Sequence, residues 1–544
     1  MARAEGAGAA AALAASSGLV LLTLSSAQFL MTLDSSVMNV SIATVAADVG
    51  TTVTGIQTAI TLYTLVMATL MITGGRIGQI IGRKRAFGIG CVVYGVGSFT
   101  TALSPNLLVL MIGWSLLEGI GAALIMPAIV ALVASNFEQA ERPRAYGLVA
   151  ASGAIAVAVG PLIGGLLTTY ASWRWVFAGE VLIVAVILAL TRRVTDIPPQ
   201  PARLDLVGTA LSALGLGLVV LGVLRGGSWG FVVPKPDAPS WLGLSAVVWL
   251  VLAGGAVLRG FLAWEQRQLD RGQAALIDPA MLQVRLLRGG LTSFFFQYLL
   301  QAGLFFTVPL FLSVALGLSA VATGVRIMPL SITLLIAAVG IPRFFPHASP
   351  RRVVRIGFLL LLAGIVTLMA LLEYGAGPEV VTWPLLLAGL GIGALASQLG
   401  SVTVSAVPDE QSGEVGGLQN TVTNLGASIG TALAGAVLIS GLTSSFLAGV
   451  QDNPAIPQDL SSQAEVDLAG GAPFLSDEAL SDALDEAGIT GDVADQVMEQ
   501  NQESRIDGLR VALAVLALLA VAALPLTRGI PTRQPGAAGA ARPE

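Results

Sequence analysis

Residues 74–85 read GGRIGQIIGRKR, and they join two apolar runs, 55–74 and 87–103. Each run is long enough to cross a hydrocarbon layer of about 30 Å as a helix. Between them, glycine lets two helix ends and a tight turn pack closely. Arg83, Lys84 and Arg85 sit where the anionic surface of an inner leaflet attracts them. Any positively charged loop between two membrane helices would look similar, so the meaning of the segment depends on the rest of the chain.

The rest of the chain repeats the pattern. Of its 544 residues, 55% are hydrophobic and 11% charged, and the mean hydropathy is +0.81. A soluble domain carries about 25% charged residues, because water meets its whole surface. A chain this apolar needs lipid as its solvent, where the backbone must satisfy itself in helices or closed barrels. Barrel strands would alternate strictly over about 10 residues, and that alternation is absent here. The sequence therefore predicts an all-α polytopic membrane protein. Its spans fall near 19–43, 55–74, 87–103, 106–134, 144–168, 174–192, 204–224, 241–264, 288–316, 320–341, 353–373, 381–405, 414–441 and 506–526, fourteen in all.

Arg and Lys orient these spans. One face collects Arg76, Arg83, Lys84, Arg85, Arg142, Arg144, Arg192, Arg193, Arg203, Arg267, Arg271, Arg285, Arg288, Arg343, Arg351, Arg352 and Arg355, whereas the opposite face has few, such as Arg174, Arg225 and Lys235. The Arg-rich face is expected to be cytoplasmic, with both termini inside. The expected division is a tail at 1–18, an N-terminal six-helix bundle at 19–192, an extra helix pair at 204–264, a C-terminal bundle at 288–526 and a tail at 527–544. The Ala-rich tail at 1–18 is read as disordered rather than as a cleaved signal, since the following apolar run is too long and contains Asp34. An acidic outer loop, 442–504, has no Lys or Arg. Its stretch SDEALSDALDEAG sets Leu480, Leu484 and Ala487 at helical spacing, so the loop is either a helical cap over the outer mouth or a mobile acidic segment.

Several function classes are excluded. The net charge of −5 is too small to imply nucleic acid. Cys91 and His347 are single residues of their kinds, so no intrachain disulfide and no usual zinc, haem or thiol site can form. Cys91 is expected to be buried and His347 to lie at the surface. There is no phosphate-binding loop and no His-based dyad, so neither an enzyme nor an ATP-driven pump is expected, and no cofactor or metal. High Ala, Gly and Arg with little Lys fits a bacterial cell membrane protein.

The spacing in GGRIGQIIGRKR resembles the signature loop of the major facilitator superfamily, Gly-x-x-x-Asp-x-x-Gly-Arg-Arg/Lys. Gly75, Gly82, Arg83 and Lys84 match, while Gln79 stands at the Asp position. In that family the Asp helps to lock a gate, so the resemblance implies a lock weakened or rebuilt as a neutral hydrogen bond. A degenerate echo, GIPRFFPHASPRR, spans 340–352, as two related halves would require. The fifth span carries AVAVGPLIGG, whose Gly160, Pro161, Gly164 and Gly165 physically give a kinked helix with a smooth face. The form Gly-Pro-x-x-Gly-Gly resembles the antiporter motif of exporters in this superfamily. WRWVF at 173–177 follows, expected to mark the outer interface with two Trp rings. LDSSVMNVSIA in the first span is similar to the motif of the fourteen-helix drug/proton antiporters, with Asp34 and Asn39 at its polar positions. Residues 413–432, GEVGGLQNTVTNLGASIGTA, are similar to that family's thirteenth span. The resemblance implies two six-helix bundles around a central cavity, two extra helices, alternating access, and a monomeric carrier of small molecules and protons.

Charge inside a membrane is costly and marks functional candidates. Asp34 is expected in the outer half of the core, Glu118 near the midplane, and Glu180 just inside the outer face. A buried carboxylate can exchange a proton for a cation, which is the minimum chemistry of antiport; Asp34 also reads as a structural hydrogen bond, and Glu180 as a solvated side chain near the interface. The family's fourth-span motif, Arg-x-x-Gln-Gly-x-Gly, reads SLLEGIGAA here, with Ser115 at the Arg position and Glu118 at the Gln position. The resemblance thus implies either a proton path rewired through Glu118 or altered coupling. Arg326 could pair across the cavity or snorkel to the interface. Gln297, Gln301, Gln398, Gln419, Asn420 and Asn424 could offer polar cavity contacts or bond neighbouring helices. Phe294, Phe295, Phe296 and Tyr298 stand out as a cluster in a chain sparse in aromatics, and are read first as lipid-facing packing. The leading expectation is a proton-coupled exporter of lipophilic cations. Export of a lipid or endogenous metabolite, or a sensor that no longer transports, are the alternatives.

Overall fold

The computed structural model describes residues 2–51, 53–196, 198–199, 203–236, 238–453, 456, 468 and 474–534; for 2–16, 39, 40, 43, 53, 54, 57, 158, 161 and 320 it describes the backbone alone. Among these residues the long helices are α1 (Ala2–Asp48), α2 (Val53–Ile81), α3 (Arg83–Ala102), α4 (Leu107–Asn136), α5 (Arg142–Tyr170), α6 (Arg174–Thr191), α7 (Leu206–Trp229), α8 (Ala246–Asp270), α9 (Arg285–Ala315), α10 (Ala320–Phe344), α11 (Pro350–Leu371), α12 (Thr382–Val404) and α13 (Ser412–Asp452). A surface helix, α14 (Asp477–Glu486), precedes the last long one, α15 (Asp492–Leu526). Each of the fourteen predicted spans falls on one long helix. Thirteen are apolar enough to cross a membrane by length and composition. The other is α3, which opens with Arg-Lys-Arg and carries Gly, Ser and Thr on its inner side. Its Ile89, Val92, Val96 and Phe99 are exposed at helical spacing, the stripe expected of a helix whose outer solvent is lipid. A two-stranded turn, β1 (Ser240–Trp241) with β2 (Leu244–Ser245), links α7 to α8. Leu242 and Gly243 at its corner both have positive φ, as a tight hairpin turn demands.

In the first half, α1 packs on α5 and α6, α3 on α4 and α6, and α2 on α4. In the second, α12 is the hub for α9, α10 and α11, while α15 packs on α11 and α13. The halves meet where α2 and α4 touch α13 and where α5 touches α10 and α12. The extra pair, α7 and α8, packs on itself and leans through α7 on α2 and α13. This is a fold of two six-helix bundles with two added helices.

Glycine makes the seam between halves possible. A Cβ on Gly75 would stand 2.5 Å from the Gly413 carbonyl oxygen, one on Gly416 2.8 Å from that of Pro127, and one on Gly147 2.6 Å from that of Ala338. Deeper along α5, Ser331 donates to the Ala154 carbonyl at 3.1 Å. These contacts lie in the helix halves nearest the Arg-rich face, so the described seam is closed on that side.

Three expectations need correction. Residues 2–18 belong to α1 rather than to a disordered tail, as their alanine content favours. The loop set at 442–504 is shorter, because α13 runs on to Asp452 and α15 starts at Asp492. Its amphipathic stretch does form a helix, α14, whose Leu484 joins a small core with Val450, Ile456 and Val497. Buried Arg505 pins it, pairing with Asp477 and donating to the Leu475 carbonyl at 2.8 Å; residues 454–455, 457–467 and 469–473 lie outside the described residues. Finally, only Trp175 of the WRWVF pair is exposed. Trp173 is buried, donating to Asp48 at 2.9 Å beneath the guanidinium of Arg174. That hydrogen bond, together with the Arg174 ion pair, holds the Asp48 carboxyl below the usual carboxylate range.

Gly75→Val would drive a branched side chain into the α13 backbone, and overpacking of this kind costs about 1–3 kcal/mol. Spin labels at exposed positions 85 and 343, in a Cys91→Ser background, should move apart in the variant as the Arg-rich seam opens. An unchanged distance distribution would mean that this crossing does not hold the seam.

Candidate functional site

The seam carries a polar latch. Gly82, with φ near 101°, breaks α2 from α3. The Asp196 carboxylate then accepts from the backbone N–H groups of Arg83 at 3.2 Å and Lys84 at 3.0 Å, serving the free N-terminal donors of α3. Lys84 Nζ reaches the Arg192 carbonyl at 3.2 Å. Arg83 is buried and donates across the seam to the carbonyls of Asp409, at 2.9 Å, and Glu410, at 2.7 Å. Gln79 accepts from Arg76 at 2.5 Å and donates to the Glu410 carbonyl at 3.3 Å. It is thus a neutral hydrogen-bonding bridge at the position where the resembled motif has Asp. Arg76 continues to Glu414 at 3.1 Å, and Arg142 holds Asp409 with both terminal nitrogens, at 3.0 and 2.8 Å. Asp196, Arg142, Asp409, Glu410 and Glu414 escaped the sequence reading as site residues; the acids just before and at the start of the quoted 413–432 segment were the available signal.

Above the latch lies a cavity of about 350 Å³ between the halves. Gln28, Thr32 and Ser35 of α1 and Tyr63 and Met67 of α2 face Gln297, Tyr298 and Gln301 of α9 and Gln419, Asn420 and Asn424 of α13. Phe294 and Tyr298 are therefore cavity residues rather than lipid-facing ones. The Oε1 atoms of Gln297 and Gln419 are buried without a hydrogen-bond partner among the described residues, leaving acceptors open to a ligand. Gln398 does not line the cavity; it is buried and accepts from Gln534 at 3.0 Å. Arg326 does not line it either. It sits half-buried near the opposite-face end of α10, in no ion pair among the described residues, where a long side chain reaches interfacial water. The side chains of Asn39 and Pro161 lie outside the described residues.

Behind the cavity wall, the three intramembrane acids converge. One carboxylate oxygen from each of Asp34, Glu118 and Glu180 lies within 4.8 Å of the others, and all three side chains are buried. Counting residues from predicted helix ends had put them at different depths, with Glu180 near the outer face. Helices that overrun the membrane by unequal lengths defeat such counting. In addition, Met111–Glu118 of α4 is a π-helical stretch, a widened turn that shifts side-chain register and often marks functional sites. This stretch presents Trp114, Ser115 and Glu118.

The donors to the trio are neutral. Trp114 Nε1 reaches both Asp34 oxygens, at 2.8 and 3.0 Å. Ser98 donates to Glu180 at 3.0 Å and Tyr94 does so at 3.5 Å, while Thr101 donates to Glu118 at 3.2 Å. Glu118 Oε2 and Glu180 Oε1 have no partner among the described residues. Ser115 takes no part, donating instead to the Ala59 carbonyl at 2.8 Å. Tyr63 connects the trio to the cavity: it lines the cavity and stacks flat on Trp114 with centroids 5.2 Å apart. Converging carboxylates with unfilled lone pairs can take up protons or hold a small hard cation. The antiporter-motif glycines serve the same region. A Cβ on Gly160 would meet Ser36 Oγ at 2.3 Å, and one on Gly164 would meet Val37 at 3.0 Å, so α5 lies directly against the α1 segment that carries Asp34. Gly165 is half-buried on the same helix.

The family model described as Major Facilitator Superfamily matches residues 24–431. The chain belongs to that superfamily. Among curated relatives, the puromycin resistance protein pur8 of Streptomyces alboniger is 32% identical, covering 81% of this chain and 85% of that protein. The probable actinorhodin transporter of Streptomyces coelicolor is 29% identical over 84% and 77%. The tetracenomycin C resistance and export protein of Streptomyces glaucescens is 27% identical over 93% and 91%. Among solved structures, the human organic anion transporter MFSD10 aligns with TM-score 0.56 at 14% identity, covering 95% of this chain and 98% of that one. The proton:xylose symporter XylE aligns with TM-score 0.51 at 14% identity, over 96% and 99%. These structural likenesses concern the fold. This facilitator-superfamily protein is a multi-pass membrane transporter.

Trp114→Phe keeps the ring stacked on Tyr63 but removes the donor to Asp34. Stranding a buried acceptor costs about 1–3 kcal/mol, so the purified variant should melt at lower temperature. Combined with Asp34→Asn, the two changes should be non-additive by about 1 kcal/mol or more. Strict additivity in a thermal-unfolding double-mutant cycle would show that the contact is not coupled to stability.

Proposed function

We propose that this protein exports small lipophilic compounds from the cytoplasm in exchange for protons, by alternating access. The carboxylate trio, one aromatic layer behind the central cavity, carries the reading. Protons reaching Asp34, Glu118 and Glu180 change the charge behind Tyr63 and Trp114, and so change the cost of leaving α1, α4 and α6 packed as they are. On this reading residues 19–192 form the proton-handling half and 288–526 the facing half, with 204–264 alongside as the extra pair. Gln297, Gln301, Gln419 and Asn420 supply polar contacts to cargo. Gly75, Gln79, Gly82, Arg83 and Lys84 form the cytoplasmic gate, and Gly160, Pro161, Gly164 and Gly165 keep α5 close to α1. Both termini are cytoplasmic, the closed Arg-rich seam corresponds to the outward-facing state, and a monomer suffices.

The cargo has two readings. A lipophilic cation is favoured by the negative trio behind the wall. An antibiotic-like metabolite is favoured by the cavity lining, which among the described residues has neutral amides and phenols but no charged side chain, and by relatives named for actinorhodin and tetracenomycin C.

Proteoliposomes with an imposed pH gradient test the coupling. A panel of lipophilic cations, with actinorhodin and tetracenomycin C alongside, should include compounds moved by wild type. Asp34→Asn and Glu118→Gln should each reduce gradient-driven transport at least ten-fold while leaving cargo binding in detergent nearly intact. Transport unchanged in both variants would remove the trio from the coupling mechanism. Movement of these two antibiotics but not of the cations would decide for the metabolite reading.

A further inference from the structure

A second cavity, of about 1000 Å³, opens between α10 and α11 near the Arg-rich face and shares no lining residue with the central one. Its walls are apolar: Ile336 and Phe344 from α10, Ile356 and Leu360 from α11, Leu390 and Ala394 from α12. Ile336, Phe344 and Ile356 are largely exposed, so the groove faces laterally, toward the bilayer. Its mouth is basic, with Arg351, Arg352 and Arg355 and the imidazole of His347. Arg351 is already engaged, donating to the carbonyls of Ile530 at 2.8 Å and Arg528 at 3.1 Å. Arg352 and Arg355 are exposed and enter no ion pair among the described residues. The stretches that form the mouth, 340–356 and 527–534, contain no Asp or Glu while adding Arg343, Arg528 and Arg533. At the start of α11, Pro350 carries no N–H and the Arg351 N–H already donates to the Pro531 carbonyl at 3.1 Å, so the positive character of the mouth comes from its arginine side chains.

We propose that this groove binds an anionic phospholipid of the leaflet on the Arg-rich face. The phosphate lies between Arg352 and Arg355 at the start of α11, and an acyl chain fills the channel between α10 and α11. Basic pockets between membrane helices on the cytoplasmic side recognise acidic headgroups in this way. A soluble phosphate would use the mouth alone and leave the apolar walls unexplained. The degenerate echo at 340–352 thus does something different from its counterpart at 74–85: one side chain in it meets lipid where the other meets protein.

The test uses the full-length protein, stripped of lipid in detergent and titrated with phosphatidylglycerol or with phosphatidylcholine of the same chains, the first bound lipid being read by native mass spectrometry. Wild type should retain phosphatidylglycerol at about ten-fold lower concentration than Arg352→Ala/Arg355→Ala, and should show no such preference for phosphatidylcholine. Ile336→Trp/Leu360→Trp, which fills the channel and keeps the charges, should weaken retention similarly. Both pairs of residues are peripheral, and melting temperatures without lipid should match wild type. Equal phosphatidylglycerol retention by wild type and both variants, or equal retention of phosphatidylcholine, would overturn the site. Displacement of the lipid by inorganic phosphate at comparable concentration would overturn the lipid assignment in favour of a simple anion site.

Discussion

Three carboxylates within 4.8 Å of one another, away from water, are the constraint around which the first bundle is arranged. At an effective dielectric of about 20, each pair of unit negative charges at that spacing costs about 3 kcal/mol. Ser, Thr, Tyr and Trp donors ease the desolvation of single oxygens but bring no positive charge. Compensation therefore comes from protons or a cation, and two oxygens, Glu118 Oε2 and Glu180 Oε1, are left open for it. The packing needed to hold the acids so close is a backbone matter. A Cβ on Gly97 would stand 2.6 Å from Glu118 Cγ, and one on Gly113 would stand 2.8 Å from the Thr101 nitrogen. α3 and α4 can approach only because both faces carry glycine there, and α5 approaches α1 because Gly160 and Gly164 leave room for the Ser36 and Val37 side chains.

The latch at the Arg-rich face solves a different electrostatic problem. An Asp at position 79 would put a third acid beside Glu410 and Glu414; Gln79 instead bridges Arg76 and a backbone carbonyl, leaving Arg76 free to pair with Glu414. Arg83 reads two carbonyls and no carboxylate. The seam is therefore held largely by hydrogen bonds to backbone, which depend on the α12–α13 turn keeping its shape, and by the two-pronged Arg142–Asp409 pair that fixes that turn. Bidentate geometry is what makes such a pair worth more than an ordinary surface ion pair.

Much of the fold was legible because span length is set by the bilayer, not by neighbours: twenty apolar residues read as a helix wherever they pack. The family was legible because Gly75, Gly82, Arg83 and Lys84 stand at fixed offsets. The intramembrane acids themselves were conspicuous too, since charge in an apolar run stands out. Their convergence was not. Depth counted along straight helices placed Asp34, Glu118 and Glu180 apart, and neither the π-helical stretch nor the overrun of α1 leaves a mark in composition. Trp173 was misread for a related reason: a Trp near a helix start resembles an interfacial anchor until Asp48, 125 residues earlier, is found beneath it.

The aromatic pair Tyr63–Trp114 joins these levels. Trp114 is held by Asp34 and Tyr63 faces the cavity, so the cavity and the carboxylate trio lie on opposite sides of one stack. In the proposed mechanism, cargo pressing on Tyr63 disturbs the donor that makes Asp34 tolerable, and charging the trio pulls on the same indole from behind. A ligand shifts a conformational equilibrium only through differential contact with its states. In an antiporter of the proposed kind, a shared stack of this sort supplies that difference to both ligands without their meeting, which is why the trio has no need to line the cavity. The latch then sets how large the difference must be: energy stored at the stack acts on the halves only when it exceeds what the seam on the Arg-rich face withholds.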